Sequence, residues 1–320
     1  RNDGLAARRS SIGGSEAPAR WASEIRDSDG SDPYDSPYSL WCAKRGLLPD
    51  EPAASALTID PLASGGEFEI SPIDSGNMGE DDLRDLFAAR TGARVVYPGP
   101  FTVLRSLAHP FLSVSLDGAI AHALDPGVLE CKDRDSWALP QWRDGLPLSV
   151  QVQIAHALLV TGWTWGVGIA RTGRYRAPWH RYERDDDFLA QHLDACREFV
   201  ARVEAGDPPP ADGHPATTRA LKRLHPKDSG ATLVASTSLF AAVEERQCHK
   251  EALAHDEECL AAVENRIRDE MKSATWAALP DGRRLQLRTE PRKSRVCGCG
   301  QIIQRGSEPR VIRLLKGDSK

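Results

Sequence analysis

The residues with the clearest chemical potential are Ser115-Leu116-Asp117-Gly118 and, after a turn through Asp125-Pro126-Gly127, Val128-Leu129-Glu130-Cys131-Lys132. On an extended strand side chains alternate, so Glu130 and Lys132 project from one face while Leu129 and Cys131 project from the other. If the preceding strand lies alongside, Asp117 converges on the same polar face. Two carboxylates with a main-chain carbonyl are hard oxygen ligands suited to Mg²⁺ or Mn²⁺, and an ammonium beside them can position or help deprotonate a water aimed at phosphorus. The alternative is a turn aspartate and a Glu-x-Lys pair on a solvated strand. Val128, Leu129 and Cys131 make the strand look central, where an unpaired carboxylate or ammonium is costly.

Other groups carry two meanings each. Arg171, Arg174, Arg176, Arg181 and Arg184, interleaved with Tyr175, Trp179 and Tyr182, fit either a DNA groove built from phosphate contacts and stacking or the solvent face of a strand pair. Gly13-Gly14-Ser15 fits a helix N-cap or a binding turn. Cys297-Gly298-Cys299 lacks a second Cys or His pair at zinc-finger spacing, which weighs against a structural metal there.

These residues need elements to hold them. The first 75 residues are loop-rich, with a short helical stretch at Ser15–Glu24. Glu80–Arg90 is an amphipathic helix with an acidic first turn and Gly92 just past its end. Arg94–Tyr97, Phe111–Leu116 and Val128–Lys132 are expected as strands of one sheet. Leu148–Val160 reads as an apolar helix, Trp163–Ala170 and Tyr175–Arg184 as a strand pair, and Asp186–Ala205 as a helix with Phe188, His192, Cys196, Phe199 and Val203 along one stripe.

A Pro-rich break at Gly206–Pro210 then divides the chain into an expected core, 1–210, and a C-terminal region, 211–320. In that region Thr232–Ala274 is a long charged helix with Leu260, Val263, Ile267 and Met271 at seam spacing. A hairpin turning on Asp281-Gly282 follows, and the basic residues after it are poorly patterned.

At 320 residues the chain is long enough for one large domain or two ordinary ones. Seven scattered cysteines argue against an extracellular disulfide framework and for a reducing cytoplasm. The most apolar run, Ile154–Ala170, is broken by His156, Thr161, Gly162 and Thr164, so no membrane span is expected. No secretory signal opens the sequence, and Arg1 in place of Met suggests a start inside a longer reading frame. The charge is unevenly spread: 41 Lys+Arg against 46 Asp+Glu give −5, of which residues 281–320 hold 11 and 4, leaving 30 and 42 for the rest. That excludes a protein coated in positive charge, but not one that grips a duplex locally.

In order along the chain stand Arg8 with Ile12-Gly13-Gly14-Ser15, Gly76-Asn77-Met78-Gly79-Glu80, Ser115-Leu116-Asp117-Gly118, Glu130-Cys131-Lys132, Gln151-Val152-Gln153 and Val160-Thr161-Gly162. This succession, over about residues 8 to 210, resembles the YqaJ-like viral recombinase family, the lambda exonuclease type within the PD-(D/E)XK nuclease superfamily. The resemblance implies an α/β fold, a restriction-endonuclease-like core with a mixed central sheet flanked by helices, followed by a helical C-terminal extension.

It further implies Mg²⁺-dependent 5′ to 3′ digestion of one strand of linear double-stranded DNA in phage-type recombination, with Mn²⁺ as a substitute ion. Asp117, Glu130 and Glu80 would serve the metal, Lys132 would be the catalytic lysine, and Gln151 would orient the site. Arg8 and Ser15 would hold the 5′-phosphate. A homotrimer and a single-strand annealing protein as partner are also implied. Two departures stand out: Leu116 replaces the proline of the superfamily name, and no acidic residue lies about ten positions before Asp117, where Leu107 and His109 occur. Nucleases of other polarity or with endonuclease action, and a non-catalytic DNA-end-binding protein, are the alternatives.

Overall fold

The computed structural model describes residues 10–29, 33–49, 72–99, 102–122, 125–173, 175–291, 295–296, 302–304 and 310–315. Contacts divide the chain into two compact units, residues 1–228 and 229–320. The Pro-rich break at 206–210 therefore lies inside the first unit.

The first unit is a mixed α/β structure. Its sheet has the order β1 (Arg94–Val96), β4 (Gly118–Ala121), β5 (Gly127–Arg134), β6 (Trp165–Thr172) and β7 (Trp179–Glu183). Only β5 and β6 run parallel, and the other neighbours are antiparallel. The parallel pair needs a crossover, supplied by a 3-10 segment (Ser136–Trp142) and a helix at Leu148–Thr161.

Helices occupy both faces of the sheet. In chain order the unit holds α1 (Ala22–Asp29), α2 (Pro37–Lys44), α3 (Pro72–Thr91), α4 (Leu148–Thr161), α5 (Asp186–Ala205) and α6 (Pro215–Leu224). On one face Leu83 and Phe87 of α3 pack with Ile120, Leu129, Cys131, Val167 and Ile169. On the other, Val150, Ile154 and Leu158 of α4 pack with Val128 and Ala170. Burying side chains of this size contributes roughly 1.5–3 kcal/mol each.

The approach of α4 depends on small residues in β6. A Cβ at Gly166 would stand 2.6 Å from Ile154, and one at Gly168 would stand 2.5 Å from Leu146. Local sequence also sets the helix ends. Asp185 caps α5 by accepting from Phe188 N at 3.0 Å, and Gly206 closes it at φ 73°.

One expected strand differs. Phe111–Leu116 was to join the sheet, but its ordered core, β3 (Ser113–Val114), pairs with β2 (Leu104–Arg105) and bridges through Leu112 to Ile12. The sheet neighbour of β5 begins at Gly118 instead. Gly118 fits because a Cβ there would crowd Val95 at 3.2 Å and both Arg84 and Leu129 at 3.4 Å. What resembles a turn dipeptide in sequence, Asp117-Gly118, is the joint between β3 and β4.

The second unit contains α7 (Thr237–Met271) and a three-stranded antiparallel sheet. Its order is β12 (Arg310–Leu315), β9 (Arg284–Thr289) and β8 (Trp276–Ala278). The hairpin is as expected, with Gly282 at φ 82°. β12 corrects the expectation of a poorly patterned basic tail: its alternation is masked by Arg310 and Arg313. A two-stranded ladder joins β10 (Arg295–Val296) to β11 (Ile302–Gln304). Along α7 the seam is covered only at its end, where Met271 is buried while Leu260 and Val263 are exposed.

Candidate active site

The register of β4 and β5 determines the site. Gly118 lies opposite Leu129 and Ala119 opposite Val128, so the ladder brings Asp117 across from Glu130. Asp117 Oδ2 accepts a hydrogen bond from Cys131 N at 2.9 Å. Glu130 and Lys132 leave β5 on the same side, and the Lys132 ammonium donates to Glu130 Oε1. Both side chains are mostly buried. Leu129 and Cys131 point the other way, into the α3 layer. The alternation expected from sequence is therefore present.

Charge in this small space is strongly coupled. Burial, reinforced by Glu130 and Glu80, pushes the Asp117 carboxyl up to about 8. Burial also raises Glu80, with Glu130 adding to the shift and Lys132 opposing it. For Lys132, burial acts to lower the pKa, but Glu130 and Asp117 outweigh it and the net shift is upward. Three carboxylates and one ammonium thus share a poorly hydrated corner in which the negative groups destabilise one another.

Several supports were invisible in sequence. Arg84, buried on α3, donates from Nη1 to the main-chain oxygen of Asp117 at 2.8 Å. Its Nη2 pairs with Asp81, and its guanidinium lies 4.1 Å from the Tyr97 ring centroid. On the opposite side of Lys132, Asp133 is gripped by Arg171, with Nε to Oδ1 at 2.9 Å and Nη2 to Oδ2 at 2.7 Å. Gly79 fits against this pair with almost no space to spare. The one local signal at Arg84 is its i, i+3 spacing from Asp81, which carries no information about Asp117.

The remaining expected residues divide. Gln151 stands in the first turn of α4, where its Nε2 donates to Leu146 O at 2.7 Å and braces the chain ahead of the helix. Ser15 is exposed in the turn after Ile12. Arg8, Arg174, Cys297 and Cys299 lie outside the described residues. Of the arginines that fit either a DNA groove or a solvent face, Arg171 pairs with Asp133 and Asp82, Arg181 with Glu183, and Arg184 with Asp186. Arg181 also stacks on Trp165 at 4.3 Å.

The model of the YqaJ-like viral recombinase domain matches residues 5–164, which include Ser15, Glu80, Asp117, Glu130, Lys132 and Gln151. The chain belongs to this family. Membership brings the deoxyribonuclease class with it, and the mixed sheet flanked by helices is the core that the motif order implied. Among solved structures, this YqaJ-family chain is similar to an alkaline exonuclease (LHK-Exo) from Laribacter hongkongensis. The identity is 19%, over 65% of this chain and 94% of that one, with a TM-score of 0.47. LHK-Exo in complex with dAMP gives 19% identity, the same coverage and a TM-score of 0.46. The structure of SSO0001 follows at 10% identity, 62% and 83% coverage, and a TM-score of 0.31. No curated protein matches. Among the described residues no helix is long and apolar enough to cross a membrane.

Proposed function

We propose that the chain is a Mg²⁺-dependent exonuclease that digests one strand of linear double-stranded DNA in the 5′ to 3′ direction during phage-type recombination. The observation that carries this reading is the approach of Asp117, immediately before β4, to Glu130 and Lys132 on one side of β5, within a chain of this family. The donor set fits a hard divalent cation. Asp117, Glu130 and Glu80 offer only oxygen, and burial, with Glu130 adding to it, raises both Asp117 and Glu80, a cost that a bound cation would offset.

Asp117 and Glu130 would hold the ion with help from Glu80, and Mn²⁺ would substitute for Mg²⁺. Such an ion, when bound, supplies Lewis-acid polarisation of the scissile phosphate and a water of lowered pKa. The chain's own residues do the rest. Lys132 places an ammonium where charge builds on the phosphate oxygens. Arg84 holds the Asp117 main chain, and Gln151 steadies the entry to α4. Ser15 and Arg8 hold the 5′-phosphate, a hydroxyl and a guanidinium being suited to that anion.

The family resemblance also supports a homotrimeric ring around the DNA, a single-strand annealing protein as partner, and action in the cytoplasm. The test is digestion of linear duplex DNA with and without a 5′-phosphate. Mg²⁺-dependent nucleotide release that favours the phosphorylated end is expected. Absence of any release would overturn the reading, and cutting of closed circular DNA would replace it with an endonuclease.

A further inference from the structure

Behind the Ser15 turn, the side chains of three separate elements form one hydrogen-bonded line. Trp21 Nε1 donates to His192 Nδ1 at 3.0 Å, and His192 Nε2 lies 3.0 Å from His156 Nδ1. His156 Nε2 then lies 3.0 Å from Ser113 O and 3.2 Å from Ile12 O. Both imidazoles are fully buried. The direction of the line is fixed, because an indole N–H can only donate. His192 must therefore accept at Nδ1 and carry its proton on Nε2. His156 must accept at Nδ1 and give its Nε2–H to the two carbonyls. Every ring nitrogen has its partner when both rings are neutral, consistent with burial pushing His156 down to about 4 and His192 to about 3.

The same residues raise a metal alternative, since His156, His192 and the Cys196 thiol bring ligand atoms within 4.8 Å of one another. The hydrogen bonds oppose it. An ion on His192 Nε2 would displace the proton that His156 Nδ1 accepts, and the other ring nitrogen already takes the Trp21 N–H. Cys196 Sγ, 3.7 Å from His192 Nε2, is held as a thiol by burial.

The two ends of the line bracket one short loop. Ile12 is the residue before Gly13, and Trp21 closes the 3-10 turn that follows Glu16. Ile12 O also accepts from Ser113 N at 2.9 Å, and Ile12 N donates to Phe111 O at 2.8 Å, so the loop starts alongside the strand that leads to Asp117. Within the loop, Glu16 takes the Gly13 N–H at 2.7 Å and the Lys44 ammonium at 2.7 and 2.8 Å.

We propose that the Trp21–His192–His156 line is a positioning device that fixes the Gly13–Ser15 loop against β3, the strand that leads to Asp117. It thereby sets the spacing between the gripped 5′ end and the bond that is cut. This rests on Ser15 contacting the 5′-phosphate. None of the three side chains touches the reacting atoms in this role. Their loss should act on end recognition and leave the chemical step largely unaltered.

The test compares wild type, Trp21→Phe, His156→Gln and Ser15→Ala on 5′-phosphorylated and 5′-hydroxyl duplexes, with melting temperature as a control for folding. Trp21→Phe keeps an aromatic ring but removes the donor that orients the line. We expect it to raise KM for the phosphorylated duplex about tenfold while kcat stays within about twofold, the behaviour of a misplaced binding group. The preference for the 5′-phosphate should fall in parallel, and His156→Gln should reproduce the pattern should Trp21→Phe fail to fold. If Ser15→Ala loses the preference while folded Trp21→Phe and His156→Gln retain wild-type KM and preference, the positioning role is overturned and the Ser15 assignment stands. If wild type shows no preference and Ser15→Ala changes nothing, the Ser15 assignment fails and the positioning role fails with it. Stoichiometric Zn²⁺ binding by equilibrium dialysis that is lost in His192→Gln would overturn the hydrogen-bonded line in favour of a metal site.

Discussion

Arg84 Nη1 donates to the main-chain oxygen of Asp117 at 2.8 Å, so a helix on one face of the sheet holds the backbone of the residue that leads into the interior strand β4. The same guanidinium pairs with Asp81 and lies over Tyr97. A lysine cannot satisfy this geometry, because one ammonium has no planar fork and no flat face to stack. We expect Arg84→Lys to weaken Mg²⁺ binding about 10- to 100-fold, the usual cost of losing a support behind a metal ligand. Activity measured against Mg²⁺ concentration should recover at high Mg²⁺. A curve that saturates at the wild-type midpoint would show that Arg84 is merely structural.

Asp117→Asn and Lys132→Ala separate binding from chemistry. Asparagine retains an oxygen to accept from Cys131 N but loses the negative charge, and alanine leaves Glu130 without its ammonium. Each should reduce nucleotide release by at least about 10²-fold, on the scale of removing a preorganised electrostatic group. Binding of a 5′-phosphorylated duplex, followed by fluorescence anisotropy, should remain within a few-fold of wild type. Full activity of Lys132→Ala would show that another group supplies the positive charge.

The strand that carries this chemistry was legible because period-two alternation is a strong local signal: Leu129 and Cys131 are buried against α3 just as Glu130 and Lys132 require. The ends of α5 were legible as well, since Asp185 and Gly206 are cap residues whose effects do not depend on the rest of the fold. Long-range relationships were not. Arg84 has the sequence context of a surface helix residue, and only tertiary packing brings its Nη1 to the Asp117 main chain. His156 and His192 lie on different helices, and in sequence His192 was simply one residue on the apolar stripe of α5. β12 escaped notice because an edge strand with arginines lacks a clean apolar alternation, and its pairing with β9 is settled by the fold.

Gly79→Ala sets two effects against each other. In an ordinary helix interior the change would favour folding by roughly 1 kcal/mol. Here the new Cβ would stand 2.8 Å from Asp133 Oδ2, 2.9 Å from Asp133 Cβ and 2.9 Å from Arg171 Nη2. Asp133 and Arg171 are locked to each other by two hydrogen bonds, so either the pair separates or α3 shifts at a point directly beside Glu80. The clash should win, with a net destabilisation of about 1–3 kcal/mol, the usual cost of overpacking. Urea unfolding measures the sign directly, and a stabilised variant would show that α3 has slack at this point.

The two buried histidines make stability depend on pH in a definite direction. Unfolded, each would titrate near its ordinary 6.5, whereas in the fold burial lowers His156 to about 4 and His192 to about 3. His192 is lowered further by the neighbouring His156 ring and by Arg20, and Cys196 beside it stays neutral. Between pH 6.5 and about 4 the unfolded chain therefore binds more protons than the folded one, so acid favours unfolding in that window. Above it both states hold neutral imidazoles and the contribution to stability is complete. A fall of about 3 kcal/mol in unfolding free energy from pH 7.5 to 5.5 follows from about 1.4 kcal/mol per pH unit for each of the two groups below pH 6.5. Carboxylates also titrate on the acid side, so the comparison that isolates the effect is His156→Gln against wild type at each pH. The variant should be less stable at pH 7.5, because a hydrogen bond is lost, and its stability should decline less steeply on acidification. Equal slopes for the two proteins would mean that His156 is not held neutral in the fold.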